Sequence, residues 1–475
     1  MRVLYMTEKL YALDFSHEEW KVWLEEELNQ PKFRADQLCQ WLWQKNTFDT
    51  EEMTNLSLAL REQLEKRLNF SLPYLLNMQK SQIDGTRKYL WQLTDGNTIE
   101  SVLLKQNDRL TACLSTQVGC PLGCTFCATG LSGYVRNLSA GEIAAQFLAM
   151  EKMSDRKINN IVFMGMGEPF LNTDALLKSI SMLNSEKQRN LGIRQMTVST
   201  SGIIPGIKQL SESGLGVKLA ISLNAADDEL RSSLMPINNT YPVSELRMAM
   251  VEYQKKTGNR ITIEYALLGG VNDGVEHARE LIRFLKGIHV YINLIPYNDT
   301  DGRYEKPEAE SILKFRNVLT TAGFEAEFRH SLGMDIAAAC GQLRRKTLAN
   351  AQPEEPSMPR PVKNNVQTAR KVPAPLHKNR KTESSSDGKK RRIDKPESDR
   401  YRSGKMKSAR PSYRGQSEKD GDTKETRASF GAKTSKAPSK FDASRGKVDK
   451  KYKSRTVRDT KKTKEERPGK KKTGK

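Results

Sequence analysis

Long apolar runs are missing from this 475-residue chain. No stretch reaches the roughly 18 apolar residues of a membrane-spanning helix, so no span is expected. The N-terminus shows no basic-then-apolar leader, so no secretory signal is expected either. Cysteine and histidine are scarce, at six and five residues. So few cysteines in so long a chain exclude a disulfide-stapled secreted scaffold and point to a reducing, cytoplasmic setting. Surplus positive charge is absent from most of the chain, although the formal net charge is +22. Residues 352–475 carry 39 Lys+Arg against 16 Asp+Glu, leaving 40 against 41 in everything before them. The folded part is therefore near neutral, and the basicity belongs to a tail. No internal repeat is evident.

That tail, residues 351–475, is built from Pro, Ser, Lys, Arg, Gly and Thr without apolar periodicity. It cannot bury a core and is expected to be disordered. A block of like charge reads either as a solubilising extension or as an RNA-binding arm that releases counterions from phosphate. At the other end, residues 1–74 read as a small helical domain. Ser16, His17, Glu18 and Glu19 offer a cap and an acidic first turn before Trp20, Val22, Trp23 and Leu24. Further helices are predicted over about Arg34–Lys45 and Leu56–Leu68, with Trp20, Trp23, Trp41 and Trp43 as core. From Leu75 the pattern turns strand-like, and Lys88–Leu93 with Ile99–Leu104 predict a hairpin about Asp95-Gly96. Glu100 falls inside its second strand, where a carboxylate either faces water or needs a buried partner.

Cysteine, rare elsewhere, is concentrated in Cys113–Cys127, which reads CLSTQVGCPLGCTFC. Cys120, Cys124 and Cys127 form a C-x3-C-x2-C loop. Thiolates are soft ligands that select iron–sulfur clusters, zinc or copper. Zinc would want a fourth Cys or His close by, and the next His downstream is His277. Three thiolates on a cubane leave one iron open to a chelating small molecule.

Beyond the loop the chain alternates. Strands are predicted at Thr111–Thr116, Asn160–Met164, Gln195–Ser199, Val217–Leu223, Ile261–Ala266, Val290–Ile295 and Glu325–His330. Helices are predicted at Ala140–Glu151, Thr173–Leu183, Gly206–Glu212, Pro242–Thr257, Val275–Leu285 and Ala309–Ala322. Repeated βα units imply an α/β fold with a parallel sheet, here a partial or full βα barrel over residues 75–350. Barrel sites gather at the C-terminal strand ends. The polar motifs fall there: Gly167-Glu168-Pro169, Ser199-Thr200-Ser201-Gly202, Ser222-Leu223-Asn224, and Asn298 after Ile295-Pro296-Tyr297. Cys340 lies in Ala337-Ala338-Ala339-Cys340-Gly341-Gln342-Leu343, with Arg329, His330, Arg344, Arg345 and Lys346 around it. On residues alone, Cys340 and Cys113 read as inert buried thiols ahead of activated nucleophiles.

Taken together, residues 10–350 resemble the RlmN/Cfr family of radical-SAM RNA methyltransferases. The resemblance rests on Cys113–Cys127, Gly-Glu-Pro at 167–169, Ser-Thr-Ser-Gly at 199–202, Ser-Leu-Asn at 222–224 and Ala-Cys-Gly-Gln-Leu at 339–343. It implies a helical RNA-contacting front domain and a partial barrel. It implies that Cys120, Cys124 and Cys127 hold a [4Fe–4S] cluster. Gly167, Glu168, Ser199, Ser222, Leu223, Asn224 and Asn298 would bind S-adenosylmethionine (SAM). Cys340 would carry a methyl group, Glu100 would take a proton, and Cys113 would form a disulfide with Cys340 to release product. Two SAM molecules are consumed in that scheme, one to methylate Cys340 and one to start radical chemistry. The implied substrate is an adenosine of 23S rRNA and, for RlmN-type members, of some tRNAs, methylated at carbon 2. Cfr-type members act at carbon 8. A cytoplasmic monomer served by an external electron donor, with no membrane partner, is expected. A non-catalytic RNA-binding factor on the same scaffold, or a radical-SAM enzyme for a small molecule, are the competing readings. One departure stands out: Ala337 occupies a position where an Asp is expected in the family.

Overall fold

A computed structural model describes residues 9–344. The basic tail, and the disorder and RNA binding expected of it, lie outside the described residues. The helical front is tied at its ends, where β1 (Leu10–Tyr11) pairs in parallel with β2 (Leu68–Asn69). Between them run α1 (His17–Leu28), α2 (Phe33–Cys39) and α3 (Leu58–Arg67). The predicted cap is there: Ser16 and Glu19 form a reciprocal capping box at the start of α1. The second predicted helix departs from the expectation. Its α-helical part stops at Cys39, and Gln40–Gln44 continue as a π turn. That wider turn puts Trp41, Leu42 and Trp43 all in the core, beside Trp20, with Trp23 packed at its margin.

Next comes an antiparallel wing, β3 (Tyr74–Lys80), β4 (Arg87–Gln92), β5 (Thr98–Gln106) and β6 (Arg109–Cys113). The predicted strand through Thr116 stops at Cys113. The chain then forms a small ribbon, β7 (Gln117–Gly119) against β8 (Tyr134–Asn137), with the cysteine loop and α4 (Ala128–Leu131) between its strands.

The βα series follows as α5 (Ala140–Lys152), β9 (Asn160–Phe163), α6 (Thr173–Asn184), β10 (Met196–Thr200), α7 (Ile204–Glu212) and β11 (Lys218–Ser222). It continues with α8 (Asp228–Leu234), α9 (Val243–Thr257), β12 (Ile261–Leu267), α10 (Val275–Leu285), β13 (Val290–Pro296), α11 (Ala309–Thr321) and β14 (Ala326–Phe328). One ten-stranded sheet results, ordered β14-β13-β12-β11-β10-β9-β6-β5-β4-β3. From β6 to β14 all pairs are parallel and in sequence order, whereas β3 to β6 are antiparallel. The sheet does not close, since β14 pairs only with β13. The architecture is the partial barrel that the alternation predicted.

The front is not a separate lobe on a string. Helix α5 is buried along nearly its whole length, from Ala140 to Met150, because it is covered by the sheet on one side and the front on the other. Asn46 Nδ2 donates to the Leu148 carbonyl at 2.9 Å, and Gly141 N–H donates to Asp14 Oδ1 at 2.7 Å. The main apolar core runs from Ala12 through to Leu343, beside a smaller cluster of Leu234, Met235, Leu268 and Tyr297. Among the described residues, no helix is long and apolar enough to cross a membrane.

Candidate active site

The cysteine loop leaves β7 and covers the C-terminal ends of the parallel strands. Its path is pinned by Cys120 N–H to the Gly133 carbonyl (3.0 Å), Thr125 N–H to the Leu234 carbonyl (3.0 Å) and Cys127 N–H to the Cys124 carbonyl (3.2 Å). Cys120, Cys124 and Cys127 all line one cavity of about 200 Å³. Burial pushes the Cys120 thiol up to about 12 and the Cys124 thiol well above its ordinary range. Loading a metal here therefore displaces protons. Among the described residues, no three His, Cys, Asp or Glu side chains converge on one metal ion. Three soft thiols lining one cavity fit an iron–sulfur cluster.

The strand ends supply the opposite wall. A Cβ on Gly165 would lie 2.7 Å from the Leu114 carbonyl carbon. Gly167 has φ +103, and a Cβ there would lie 2.6 Å from the Gln117 side chain. Only glycine lets the end of β9 approach the segment from β6 to β7 that leads into the cysteine loop so closely. Glu168 follows, buried, with Oε1 accepting from Phe170 N–H (3.1 Å) and Oε2 from Ser201 N–H and Oγ (2.8 Å each). Burial raises its pKa despite those donors. Ser199 and Ser222 face each other with Oγ atoms 3.2 Å apart. Asn224 adopts φ +61 and accepts at Oδ1 from Ala266 N–H at 2.8 Å. Gly167, Glu168, Ser199, Ser222, Asn224 and Asn298 all line the cavity. Leu223 does not: it is fully buried, and its carbonyl accepts from Arg231 Nε at 3.1 Å.

Cys340 lines this cavity too, and also a second chamber of about 120 Å³ whose wall includes Cys113, Val102 and Leu104. It rides on a strap, residues 333–344, fastened at many points. Gly333 N–H donates to Asp84 Oδ2 (2.8 Å), and Asp335 Oδ2 accepts from Gln82 N–H (2.9 Å). The Gly341 carbonyl accepts from Ala128 N–H (2.8 Å), and the Leu343 carbonyl from Thr129 Oγ1 (2.6 Å). Asn298 Nδ2 donates to the Cys340 carbonyl itself at 3.3 Å. The disulfide expected between Cys113 and Cys340 is not formed, because all six cysteines are free thiols. Burial, with Cys340 nearby, pushes the Cys113 thiol up to about 12, so it rests protonated.

Glu100 is the second of the two alternatives that the pattern allowed. It is 1% exposed, with Oε1 3.5 Å from Lys88 Nζ and Oε2 accepting from Arg344 N–H at 2.9 Å. It sits on the same face of β5 as Val102 and Leu104, just beyond the wall of the second chamber.

Comparison with known proteins agrees with this geometry. The radical SAM superfamily model matches residues 114–285, and the ribosomal RNA large subunit methyltransferase N-terminal domain matches residues 12–69. A probable dual-specificity RNA methyltransferase RlmN of Thermotoga petrophila is 51% identical over 338 residues, covering 71% of this chain and 98% of that protein. The chain belongs to the RlmN family of radical-SAM RNA methyltransferases. An RlmN of Petrotoga mobilis is 44% identical, again over 71% of this chain and 98% of its own length. A crystal structure of a radical SAM methyltransferase from Sphaerobacter thermophilus superposes with a TM-score of 0.68 at 42% identity, covering 70% of this chain and 99% of that one.

Several residues of this RlmN-family site escaped the sequence reading. Lys88 shares a buried ion pair with Glu100. Arg231, fully buried on α8, donates to the Ser201 carbonyl (2.5 Å) and Asn238 Oδ1 (2.8 Å) as well as to Leu223, clamping the ends of β10 and β11 together. Its burial pulls its pKa down to about 10. Arg329, expected from the sequence only as a cationic neighbour of Cys340, lines both chambers, and Glu264, which was missed, projects from β12 into the first. The signal for Glu264 was the same as for Glu100: a lone carboxylate at an inward position of an apolar strand. A larger cleft, about 490 Å³, lies between the front and the core, but its Arg136 is already paired with Asp95 and Glu142.

Proposed function

We propose that the chain methylates carbon 2 of a specific adenosine in 23S rRNA, and the adenosine 3′ of the anticodon in some tRNAs, through a methyl group carried on Cys340. The observation that carries this reading is that Cys340 opens onto both chambers, one beneath the cysteine loop and one holding Cys113. Carbon 2 of adenine is electrophilic and bears no acidic proton, so direct displacement on SAM cannot methylate it. A carrier thiol at the junction of two chambers answers that difficulty.

Cys120, Cys124 and Cys127 hold a [4Fe–4S] cluster, which supplies the electron that cleaves SAM and so starts the radical chemistry. Glu168 accepts from the ammonium of SAM, with Ser199, Ser222, Asn224 and Asn298 lining the remainder of its pocket. Cys340 gives up its proton and takes a methyl group at Sγ by displacement. Its sulfur then holds that carbon against the adenine ring in the second chamber. Glu100, with its charge balanced by Lys88, takes the ring proton, which requires the Arg344 N–H to release Oε2. Cys113 then gives up its proton and bonds to the Cys340 sulfur as the bond from that sulfur to the transferred carbon breaks; the carbon takes up a proton, the methylated base leaves, and an external donor returns the disulfide to two thiols. The relatives' description as dual-specificity RNA methyltransferases supports two classes of RNA substrate. The protein acts in the cytoplasm as a monomer and draws on an external electron donor.

The test is mass spectrometry of nucleosides after anaerobic incubation of reconstituted enzyme with SAM, a reductant and RNA from cells lacking the modification. 2-Methyladenosine in rRNA and tRNA is the expected product. 8-Methyladenosine, or no methylated adenosine from cluster-loaded protein, overturns the reading.

A further inference from the structure

A groove of about 400 Å³ adjoins the second chamber on its outer side. It lies between α11, the end of β14 and the start of the strap, at the edge of the sheet where β14 pairs only with β13. Ile312, Leu313, Phe328 and Met334 give it an apolar lining. Leu313 and Met334 are about half exposed, at 50% and 48%. Lys306, Arg329 and His330 add basic side chains. Among the described residues, no ion pair or side-chain hydrogen bond engages Lys306 or His330. The volume is that of a small-molecule site, and apolar walls with a few placed polar groups are the usual make-up of one.

Charge and continuity say what fills it. Among the described residues that line the groove there is no carboxylate, and the same holds for the second chamber. The cavity beneath the cysteine loop, by contrast, contains Glu168 and Glu264, and the cleft at the front contains Asp14, Asp95 and Glu142. In a folded part with balanced charge, two acid-free openings side by side favour an anion. They also share a wall, since Arg329, His330 and Ser331 line both. The chain's own extension, with 39 Lys+Arg against 16 Asp+Glu over residues 352–475, brings the wrong charge to this groove. A strand of RNA brings the right one. Single-stranded RNA is bound with its bases splayed apart, each face laid on aromatic or apolar side chains and the phosphates met by cations. With the target adenine in the second chamber, the nucleotide joined to it through one phosphate needs a place of its own, and the groove lies just across the shared wall. We propose that the groove receives the base of the nucleotide directly adjacent to the target adenosine. That base lies against Leu313, Phe328 and Met334, the linking phosphate passes His330 and Arg329, and Lys306 meets the next phosphate along. This rests on the RNA reading given under the proposed function. The lining is mainly apolar, so the groove registers that a base is present more than which base it is.

The probe is a stem-loop cut from whichever RNA the nucleoside experiment shows to be methylated. Cluster-loaded native protein is titrated anaerobically, by fluorescence anisotropy, with the intact stem-loop and with two versions that lack the base on the 5′ or the 3′ side of the target. One of these two is expected to bind about tenfold more weakly, the size of one lost stacking contact. Leu313 is half exposed on α11, so replacing it spares the core. Leu313→Asp is expected to bind the intact RNA about tenfold more weakly and to distinguish it from that abasic version less than twofold, with iron content and SAM affinity unchanged. Lys306→Ala should keep the discrimination between bases but flatten the salt dependence by about 0.7 in log–log slope, one phosphate contact fewer on a single strand. Equal binding of all three RNAs by the native protein overturns the proposal. So does a Leu313→Asp protein that still discriminates as the native one does. A Leu313→Asp protein that keeps its RNA affinity but sediments differently assigns the groove to a second copy of the chain, and overturns the proposal as well. If cluster-loaded native protein binds none of the three RNAs, the RNA reading itself has failed.

Discussion

The cavity beneath the cysteine loop draws its walls from successive strand ends, whereas the chamber behind it brings Cys113 to Cys340 from opposite ends of the barrel sequence. The first wall is local: each βα unit delivers one short polar motif, and the parallel order of the sheet lines them up. The second depends on the strap of residues 333–344 being laid back across β5, α4 and the loop after β13. One chamber follows from the fold, and the other is added to it. Under the proposed function, generating a radical and using it fall to structurally different parts of the molecule, which meet at Cys340.

If that division holds, damage to the two parts should have different reach. Cys124→Ala is expected to lose iron, SAM cleavage and methylation together. Cys340→Ala should lose methylation by at least about a thousandfold, as removal of a covalent carrier does, while iron content and SAM affinity stay within twofold. Iron assay, SAM binding and nucleoside mass spectrometry read all three quantities, and a Cys340→Ala protein that cannot bind SAM would erase the distinction. Next in size is the buried pair behind the second chamber. Lys88→Met leaves Glu100 buried without its cation, and about 3–5 kcal/mol of stability should go with it in a denaturant titration. A loss under about 1 kcal/mol would mean that the pair is not what holds that wall.

The motifs of the first chamber were legible because each is short and sits where an alternating pattern ends. The seven strands of the parallel part of the ten-stranded sheet, and helices α5, α6, α7, α9, α10 and α11 of the βα series, were predicted within a few residues of where they lie. The second chamber was legible only through a family likeness, because nothing local to Cys113 or Cys340 reports on a partner so distant in the chain. Elements that were missed share a physical reason. β7, β8 and α8 are too short to carry a period, and they exist because the loop or the barrel rim holds them. The π turn after α2 keeps the apolar spacing of a helix, so its different hydrogen bonding is invisible in the residue pattern. Lys88, Glu100 and Glu264 each interrupt an apolar strand, and only the structure shows which charges meet.

Two smaller tests sharpen the contrast between the two sulfurs of the second chamber. Cys340 is exposed, while burial pushes Cys113 up to about 12. Alkylation needs the thiolate, so at pH 8 iodoacetamide should modify Cys340 at least about a hundredfold faster than Cys113, as peptide mapping would show. The sign for stability follows from the same shift. A thiol held neutral by the fold stabilises the native state fully below its ordinary value. That contribution is lost as pH rises from about 9 toward about 12. Equal alkylation rates would show that Cys113 is not sequestered. Smallest of all is Ala337, at φ +49, a conformation that costs a residue with a Cβ about 1 kcal/mol. Ala337→Gly should raise stability by roughly 0.5–1 kcal/mol without changing SAM affinity, and no change in the melting transition would show that the strap already absorbs the strain.

The way the strap is fastened also orders events in time. Its anchors include Asp84, Glu100, Ala128, Thr129, Asp299 and Thr300, all of which precede it in the chain. A chain made from its N-terminus therefore presents every one of these anchors before Cys340 has been joined to it. Translation thus imposes an order in which the strap is laid down last, onto partners already made.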